Sequence, residues 1–337
     1  MGLQMVRFIN SVILGAVIIL TLSGVYGLFL TFPSWMFEVH RLAGWLLIAV
    51  LPWKVAISLR SLQRRIFDGG IMVFVALLAA ILTLLILVLG LAWGFRLGPE
   101  QLWLRQTAIS WHWMLALAFV IPFALHAWRR WPRPQKTDFL SRRGALKVLG
   151  LGATAIVGWR ISQAISEQRA TPESPNRFTG SRLDGYFSGN RFPVTHSLAA
   201  SQDQVDPATW QLTLKGDVLE RQSFTYDQLL SYPQAERVAT LDCTLGWYTI
   251  QNWQGVPLSD LLLGAGISSR AYLVQFASVT GYAHILPLTE AQQVLLATHV
   301  NGEILEHQHG FPLRVVVPTR RGWFWVKWLT EIEVIGL

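Results

Sequence analysis

The only cysteine among the 337 residues, Cys243, lies in the stretch ATLDCTLGWYTIQNWQGVPLSDLL, which begins at Ala239. A single cysteine cannot form a disulfide within the chain, so its thiol serves either packing or chemistry. The run from Arg237 to Cys243 is typical of a strand, and Gly246 with the aromatic residues after it ends that pattern. We therefore expect the thiol at the end of a strand, where it could bind a metal. A buried core cysteine is the alternative.

Three of the eight histidines, His40, His112 and His126, lie in the apolar first half of the sequence. His40 comes five residues after Trp35 and His112 five residues after Thr107, and these two residues begin apolar segments. On two helices that run in the same direction, both imidazoles would lie at one depth and could bind haem iron from opposite faces. Ionisable side chains within a membrane span are functional candidates. The pair therefore predicts a b haem, with packed or interface-facing histidines as the alternative.

His126 follows His112 by 14 residues, which is about 21 Å along a helix. The corresponding position after His40 is Lys54, so the sequence offers no second histidine opposite His126. A second haem would need Lys54 or a ligand from elsewhere. We therefore expect one haem and an interfacial role for His126, near a quinone or a haem propionate.

Composition indicates a membrane protein, because 52% of the residues are hydrophobic and only 14% are charged. Residues 1–175 contain 17 Lys and Arg against 6 Asp and Glu, whereas residues 176–337 contain 11 against 14. A basic, apolar first half and a mildly acidic second half indicate two domains in different surroundings. The positive charge fits cytoplasmic loops of a membrane domain and argues against a nucleic-acid-binding protein.

Four segments are long enough to cross a bilayer, which takes about 20 apolar residues. They are Phe8–Leu30, Trp35–Leu59, Ile71–Phe95 and Thr107–Trp128. Basic clusters follow the second segment (Arg60, Arg64, Arg65) and the fourth (Arg129, Arg130, Arg133, Lys136), and the first connection has no basic residue. The third connection has Arg96 and Arg105, partly offset by Glu100. By the positive-inside rule, the amino terminus is cytoplasmic and the second and fourth helices both run inward.

Residues 137–165 predict a fifth helix. In SRRGALKVLGLGATAIVGW, which begins at Ser141, paired arginines precede an apolar run rich in Gly and Ala, as in a twin-arginine export signal. A plain transmembrane helix is the equal alternative. In both cases the run from Gly144 to Ile165 crosses outward, so the remainder of the chain lies outside the cytoplasm.

Residues 166–181, SEQRATPESPNRFTGS, predict a polar linker with two prolines. Beyond it, short alternating runs predict strands at Trp210–Lys215, Tyr272–Ala277 and Leu313–Val317, and Glu290–Ala297 predicts a helix. The sequence thus predicts a multi-domain membrane protein in four parts. These are an all-α four-helix transmembrane bundle in residues 1–136, the fifth helix in 137–165, the linker in 166–181 and an α+β domain in 182–337.

Two blocks of the α+β domain carry a longer pattern. The first is Cys243-Thr-Leu-Gly-Trp-Tyr followed by Trp253-Gln-Gly-Val-Pro-Leu-Ser-Asp-Leu-Leu. The second comprises Gly281-Tyr-Ala-His-Ile-Leu-Pro-Leu, Asn301-Gly-Glu-Ile-Leu, His309-Gly-Phe-Pro-Leu-Arg-Val-Val-Val-Pro and Val326-Lys-Trp-Leu. In their order and spacing these blocks resemble the sulfite oxidase superfamily of molybdopterin enzymes. The resemblance covers about Arg182 to Leu337, and the first half is similar to a small cytochrome b module.

The resemblance implies that Cys243 is the protein ligand of a molybdenum ion that also carries the pterin dithiolene. A soft thiolate suits such a metal. It further implies that five residues bind the pterin cofactor: Asn190, Ser278, His309, Arg314 and Lys327. Arg314 offers a bidentate fork to a phosphate, with a local carboxylate as the alternative partner.

Tyr282 matches a tyrosine that faces the substrate oxygen in sulfite-oxidising members, with a half-buried strand tyrosine as the alternative. His284, two residues later, would share its face in a strand. Sulfite-oxidising members carry arginines at three positions that here hold Gly189, Tyr248 and Phe324. Without them a dianion loses charge-assisted contacts worth ~1.5 to 3 kcal/mol each. An aromatic pocket therefore favours a neutral oxide, as in the branch that includes a periplasmic methionine-sulfoxide reductase.

The predicted function is a molybdenum-dependent oxidoreductase in the bacterial inner membrane, with its catalytic domain on the periplasmic side. It would exchange electrons between a b haem, the quinone pool and the molybdenum centre, and would reduce small S- or N-oxides or a protein sulfoxide. The expected partners are these substrates, membrane lipid and a quinol. A dehydrogenase for sulfite or another small reductant, a metal-free tethered binding domain and a membrane anchor without haem are the alternatives.

Overall fold

The computed structural model describes residues 2–29, 34–65, 70–99, 102–130, 134–173, 175–195 and 205–336. The chain divides into two compact units, Met1–Gly180 and Ser181–Leu337. The first is built from helices and the second contains two sheets, so the predicted helical bundle followed by an α+β domain is confirmed. Four residues named in the predictions lie outside the described residues: Leu30, Glu100, Arg133 and Leu337.

Six α-helices make up the described part of the first unit. They are α1 (Leu3–Phe29), α2 (Ser34–Arg65), α3 (Gly70–Gly94), α4 (Ala108–Arg130), α5 (Lys136–Leu140) and α6 (Arg142–Arg169). All except α5 are long and apolar enough to cross a membrane. Large apolar side chains on their outer faces are exposed, for example Ile71 and Ile121, as expected for helices whose backbone groups are satisfied internally and whose side chains face lipid.

The helix that begins at the paired arginines, α6, packs against α2. Ser141 caps its first turn, because its side-chain oxygen accepts a hydrogen bond from the Gly144 backbone N–H at 3.1 Å. Further along, a Cβ at Gly158 would come within 2.5 Å of the Trp45 ring, and Trp45 Nε1 donates to Ser162 Oγ at 3.0 Å. Because Gly158 allows this close approach, α6 is a packed member of the helical unit.

The second unit contains eleven strands and three short helices in its described part. They are β1 (Arg182–Tyr186), β2 (Gln211–Gly216), β3 (Gln222–Thr225), α7 (Tyr226–Ser231), β4 (Ala235–Asp242), β5 (Trp247–Pro257), α8 (Leu258–Ala265), β6 (Ala271–Ser278), β7 (Ala283–Pro287), α9 (Leu288–Ala291), β8 (Leu295–Val300), β9 (Glu303–Ile304), β10 (Arg314–Val316) and β11 (Leu329–Gly336). The predicted strands beginning at Trp210, Tyr272 and Leu313 correspond to β2, β6 and β10.

The strands form two sheets. One has the order β1-β5-β8-β10, with β4 beside β5 and β9 beside β8; the other has the order β3-β2-β11-β6-β7. Buried side chains from both sheets share one core, for example Trp253 of the first and Phe276 of the second. The core fixes the ends of β4, β6 and β10, and these ends carry the candidate site.

The helix predicted over Glu290–Ala297 is correct only for its first two residues and wrong for the rest. Helix α9 ends at Ala291, and β8 begins at Leu295. Strand β8 pairs with β5 on one side and β10 on the other, and its side chains are almost fully buried because both faces of the strand are covered. A central strand appears in the sequence as a continuous apolar run, and a buried helix can have the same apolar run.

Candidate active site and the histidine pair

Cys243 directly follows β4 and is buried, with 8% of its surface exposed. A tight turn holds it: its backbone N–H donates to the Trp247 carbonyl at 2.9 Å, and its carbonyl accepts from the Gly246 N–H at 3.2 Å. Gly246 has a φ of 94°, which glycine adopts without strain. Arg321 donates to the Cys243 carbonyl at 3.1 Å and pairs with Asp242 at 3.4 Å. The backbone on both sides of the thiol is therefore fixed.

Two hydrogen-bonding groups of the described residues contact the sulfur itself. Thr195 Oγ1 and the Leu245 N–H each lie 3.5 Å from Cys243 Sγ. Burial raises the pKa of the Cys243 thiol, and these two hydrogen bonds oppose the rise only in part. Among the residues that the structure describes, no three His, Cys, Asp or Glu side chains cluster as a metal site. A metal at Cys243 would therefore take most of its ligands from a cofactor.

Arg314 lies next to the thiol and is almost completely buried, with 3% of its surface exposed. Its Nη1 donates to the His309 carbonyl at 2.7 Å, and its guanidinium lies over the rings of Trp253 and Trp325, at 5.4 and 5.8 Å. Its Nε is buried and has no hydrogen-bond partner in the described chain. Burial lowers the pKa of Arg314 to about 9, while the neighbouring Cys243 acts in the opposite direction.

Lys327 is the second cation of this cluster. Its Nζ donates to two backbone carbonyls, those of Thr195 at 2.9 Å and Gln308 at 2.6 Å. Burial, with a smaller contribution from Arg314, lowers the pKa of Lys327 to about 7. Neither cation forms an ion pair with a carboxylate of the described residues. A buried arginine with an orphaned N–H and a half-buried lysine, neither with a carboxylate counter-ion among the described residues, fit an anionic group such as a pterin phosphate.

His309 and Asn190 are in direct contact. The buried imidazole donates from Nε2 to the Asn190 backbone carbonyl at 2.8 Å and packs on the Phe192 ring at 3.9 Å. The Asn190 side chain is engaged by the protein, because Oδ1 accepts from the Glu306 N–H and Nδ2 donates to the Ile304 carbonyl, both at 2.9 Å. Asn190 thus fixes the loop that carries His309, which is a positioning role.

Ser278 ends β6 and closes the turn before Tyr282. Its Oγ accepts from the Thr280 N–H at 3.3 Å, and its backbone N–H donates to the Tyr282 carbonyl at 2.8 Å. Tyr282 Oη lies 2.7 Å from His284 Nε2 and donates to the Trp323 carbonyl at 2.7 Å. Burial raises the pKa of Tyr282 to about 12, so the phenol stays protonated at neutral pH.

A short segment connects this tyrosine to the thiol. In the turn Gly322–Phe324, a Cβ at Gly322 would lie 3.5 Å from Cys243 Cα. The next residue, Trp323, accepts the Tyr282 hydrogen bond, and the ring of Phe324 packs on His284 at 4.6 Å. Cys243, Tyr282 and His284 therefore border the same turn.

The positions of the missing arginines hold no positive charge. Gly189 has a φ of 61°, and a Cβ there would collide with the Glu303 carboxylate. Glu303 in turn accepts from the Asn190 backbone N–H at 3.1 Å. Tyr248 is buried in β5, and Phe324 packs on His284. A carboxylate thus occupies the space where an arginine side chain would begin.

Sequence reasoning missed three residues of this site. Thr195 contacts the sulfur, Arg321 holds the Cys243 backbone, and Glu303 fills the space beside Gly189. Arg321 stands beside the Gly322 turn in the sequence, which could have marked it. Thr195 lies 48 residues before Cys243, and no local pattern links the two.

In the helical unit, His40 and His112 face each other, with ring centroids 6.2 Å apart. His112 Nδ1 donates to the Ile86 carbonyl at 2.8 Å. His40 Nδ1 lies 2.8 Å from Ser23 Oγ, whose own hydrogen goes to the Ile19 carbonyl, so the imidazole is the donor. Both Nε2 atoms therefore keep a lone pair. Because metal–imidazole bonds are about 2 Å long, the two rings fit one metal ion between them.

Two glycines line this pair. A Cβ at Gly90 of α3 would lie 2.9 Å from His112 Nδ1, and one at Gly24 of α1 would lie 3.6 Å from His40 Cε1. The residue at position 90 must therefore be small for His112 to keep its place. His126, the third predicted residue, lies further along α4, and Lys54 acts on it electrostatically.

Comparison with known proteins agrees, for the second unit, with the family that its sequence motifs resemble. A family model described as oxidoreductase molybdopterin binding domain matches residues 199–336. The uncharacterized oxidoreductase YuiH of Bacillus subtilis (strain 168) is 34% identical over 145 residues, which are 42% of this chain and 73% of that protein. The catalytic subunit MsrP, a protein-methionine-sulfoxide reductase of Gluconobacter oxydans (strain 621H), is 28% identical over 61% of this chain and 75% of its own. YedZ1 of Azospira oryzae, a putative protein-methionine-sulfoxide reductase subunit, is 29% identical over 39% of this chain and 51% of its own.

Proposed function

Because this chain belongs to the family of oxidoreductases with a molybdopterin-binding domain, we propose that its second unit reduces S- or N-oxides, with protein methionine sulfoxide as the first substrate to test. The family makes the chain a molybdenum-dependent oxidoreductase. The substrate and the direction of the reaction are the proposal. The names of relatives such as MsrP support the substrate class.

The observation that carries the proposal is the Glu303 carboxylate beside Gly189. A dianion such as sulfite would meet a negative charge where sulfite-oxidising members offer an arginine, and like charges within a few ångströms repel strongly. A neutral sulfoxide carries no net charge and is not repelled by the carboxylate. Tyr248 and Phe324 add no cation that could compensate.

The residues of the site have separate tasks. Cys243 holds the metal, and the Arg314 and Lys327 cations balance the negative charge of the pterin and its phosphate. When bound, the molybdenum cofactor supplies two-electron oxygen-atom transfer. Reduction of an S-oxide also consumes two protons and releases water. The protonated Tyr282 phenol can donate a hydrogen bond to the oxide oxygen when its single O–H turns away from the Trp323 carbonyl, and His284, 2.7 Å behind it, can replace a proton that the phenol gives up.

We extend the proposal to the helical unit, where His40 and His112 would bind a b haem. The support is the 6.2 Å ring separation together with the two Nδ1 hydrogen bonds, which orient both Nε2 lone pairs. Ligating histidines usually fix their second nitrogen in this way. The basic residues at the carboxyl-terminal ends of α2 and α4 support a cytoplasmic amino terminus, with the catalytic unit on the periplasmic side of the inner membrane and electrons supplied by a quinol.

A steady-state assay of the purified full chain tests the oxide reductase. A reduced electron donor should be consumed with methionine sulfoxide, free and in a peptide, and not with sulfate as the oxidant. Sulfite should give no turnover with an artificial electron acceptor. Cys243→Ala should abolish the oxide reaction. Rapid sulfite turnover would replace the proposal with the dehydrogenase alternative.

Metal analysis of the same preparation provides the control for inactivity. A wild-type chain with stoichiometric molybdenum and no oxide reduction would contradict the substrate class alone. A wild-type chain that never binds molybdenum would instead support a tethered binding domain. The two failures are thus distinguishable.

A further inference from the structure

A second group of polar side chains lies in the helical unit, apart from the histidine pair and partly exposed. Lys54 Nζ of α2 donates to Asn10 Oδ1 of α1 at 3.0 Å, and the Lys54 ammonium acts electrostatically on the His126 imidazole of α4. Lys54 and His126 follow His40 and His112 by 14 residues each, about 21 Å along the helices. In the proposed orientation this group lies in the inner leaflet.

The hydrogen bonds of this group differ from those of the histidine pair. His40 and His112 both use Nδ1 for a hydrogen bond within the protein, whereas the His126 ring makes none with the described residues. Lys54 has Asn10 as its hydrogen-bond partner and pairs with no carboxylate in the described part of the helical unit. Because an axial haem ligand is usually fixed by its second nitrogen, His126 is not prepared for that role.

The surroundings of Lys54 and His126 indicate how a ligand would arrive. Both side chains are only half-buried. Their neighbours Trp53 and Leu125 point outward, with 42% and 50% of their surfaces exposed. Polar groups at a lipid-facing surface of a span are costly unless a partner satisfies them. The partner should therefore dissolve in the bilayer and carry oxygens that form hydrogen bonds.

We infer that Lys54 and His126 form the binding site of a lipid-soluble quinol. This inference rests on the proposed function, in which each oxide reduced needs two electrons and two protons. Lys54 donates a hydrogen bond to one quinol oxygen, and His126 accepts one from the hydroxyl of the other.

The oxidation balances as follows. The quinol loses two electrons and two protons and leaves as the quinone. His126 takes the first proton and passes it to the aqueous phase at the inner surface, where the second proton also goes. The electrons pass one at a time to the haem proposed at His40 and His112. At the second unit the two electrons and two other protons convert the S-oxide to the sulfide and water.

The test uses the full chain in nanodiscs of quinone-free phospholipid. Equilibrium binding of a short-tailed ubiquinone is measured for wild type, Lys54→Met and His126→Phe, with Leu125→Ala as the matched lipid-facing control. We expect one binding site in wild type and in the control, and a ten- to hundredfold weaker affinity in each of the other variants, roughly the loss of one hydrogen bond to a charged or buried partner. Haem reduction by the short-tailed quinol should slow by the same factor, while dithionite should still reduce the haem fully.

Binding is measured again in a His112→Ala background, where the proposed haem cannot form. Unchanged quinone binding there, lost on adding Lys54→Met, supports the site even if the haem proposal fails. Equal affinities and equal quinol-driven rates in all variants would overturn the inference. Two haems per chain in wild type, with one lost in each of the Lys54 and His126 variants, would also overturn it and identify the pair as haem ligands.

Discussion

The two cations beside Cys243, the buried Arg314 and the half-buried Lys327, would bind an anion in different ways. Arg314 is held by the His309 carbonyl and two tryptophan rings, so its guanidinium has one fixed direction. Lys327 has a pKa of about 7, mainly because of burial and then because of Arg314. The charge of Lys327 therefore changes near neutral pH when the pterin is absent.

Cofactor retention should depend on pH through Lys327. An unfolded lysine has a pKa of about 10.4, so between about pH 7 and 10 the pterin-free folded chain has released a proton that the unfolded chain still binds, and raising the pH through this range stabilises the pterin-free folded state. An anion needs the charged amine, so pterin binding should weaken as the pH rises above 7. Molybdenum and pterin content after gel filtration at pH 6 and pH 9 measures this. Lys327→Met should lose about ten- to a hundredfold in affinity and show no pH dependence, and equal retention at both pH values in wild type would contradict the prediction.

Tyr282 and His284 should differ in their effect on turnover. The Tyr282 phenol, with a pKa of about 12, stays protonated over the accessible range. Tyr282→Phe removes the donor to the oxide and should lower kcat by about 10²- to 10⁴-fold, the range of general acid catalysis. His284→Gln keeps an N–H beside the phenol oxygen but cannot titrate, so it should lower kcat less and flatten the pH profile. Steady-state kcat between pH 5 and 9 measures both, and identical profiles for wild type and His284→Gln would rule out the proton role.

Among the elements, α3 and α4 show how one glycine can decide a site. Gly90 of α3 faces the His112 ring, whereas a Cβ at Gly94, one turn later on the same helix, would have no atom within 4 Å. Gly90→Val should displace the imidazole and abolish b-type bands in the reduced-minus-oxidised spectrum. Gly94→Val makes the same change of residue type at a position where the added Cβ meets no atom within 4 Å, and it should leave the bands unchanged. Loss of the bands in both variants would point to a general defect of α3.

The sequence predicts a helix or strand well where a single environment, such as lipid, determines the pattern of apolar residues. The five long helices follow from apolar runs, because lipid tolerates little else. The pattern over Glu290–Ala297 predicts a helix where β8 begins, because burial on both faces removes the alternation that marks a strand. At the site, Cys243 is marked by its motif and its uniqueness. Thr195 and Glu303 come into place only through the pairing of distant segments, which no local pattern encodes.

At the scale of the whole molecule, one chain contains both a helical unit with a histidine pair and a unit of the molybdopterin-binding family. The electron-donating unit and the catalytic unit would then be covalently joined in one chain. Electrons need not wait for two proteins to meet, so their transfer should not depend on the concentration of the chain. If the electrons came from a separate protein, the rate of electron transfer would depend on concentration.

This coupling predicts that the oxide oxidises the haem through the molybdenum site of the same chain. Full-length protein in nanodiscs is reduced with one equivalent of dithionite and then mixed with methionine sulfoxide, while the b-type bands are followed in time. In wild type the bands should disappear with a rate that is independent of protein concentration over about a tenfold range.

In Cys243→Ala the bands should persist, because the haem remains reduced when the metal site is lost. His112→Ala should bind molybdenum normally but show no b-type bands. Reoxidation of the Cys243→Ala haem at the wild-type rate would show that the oxide reaches the haem without the second unit.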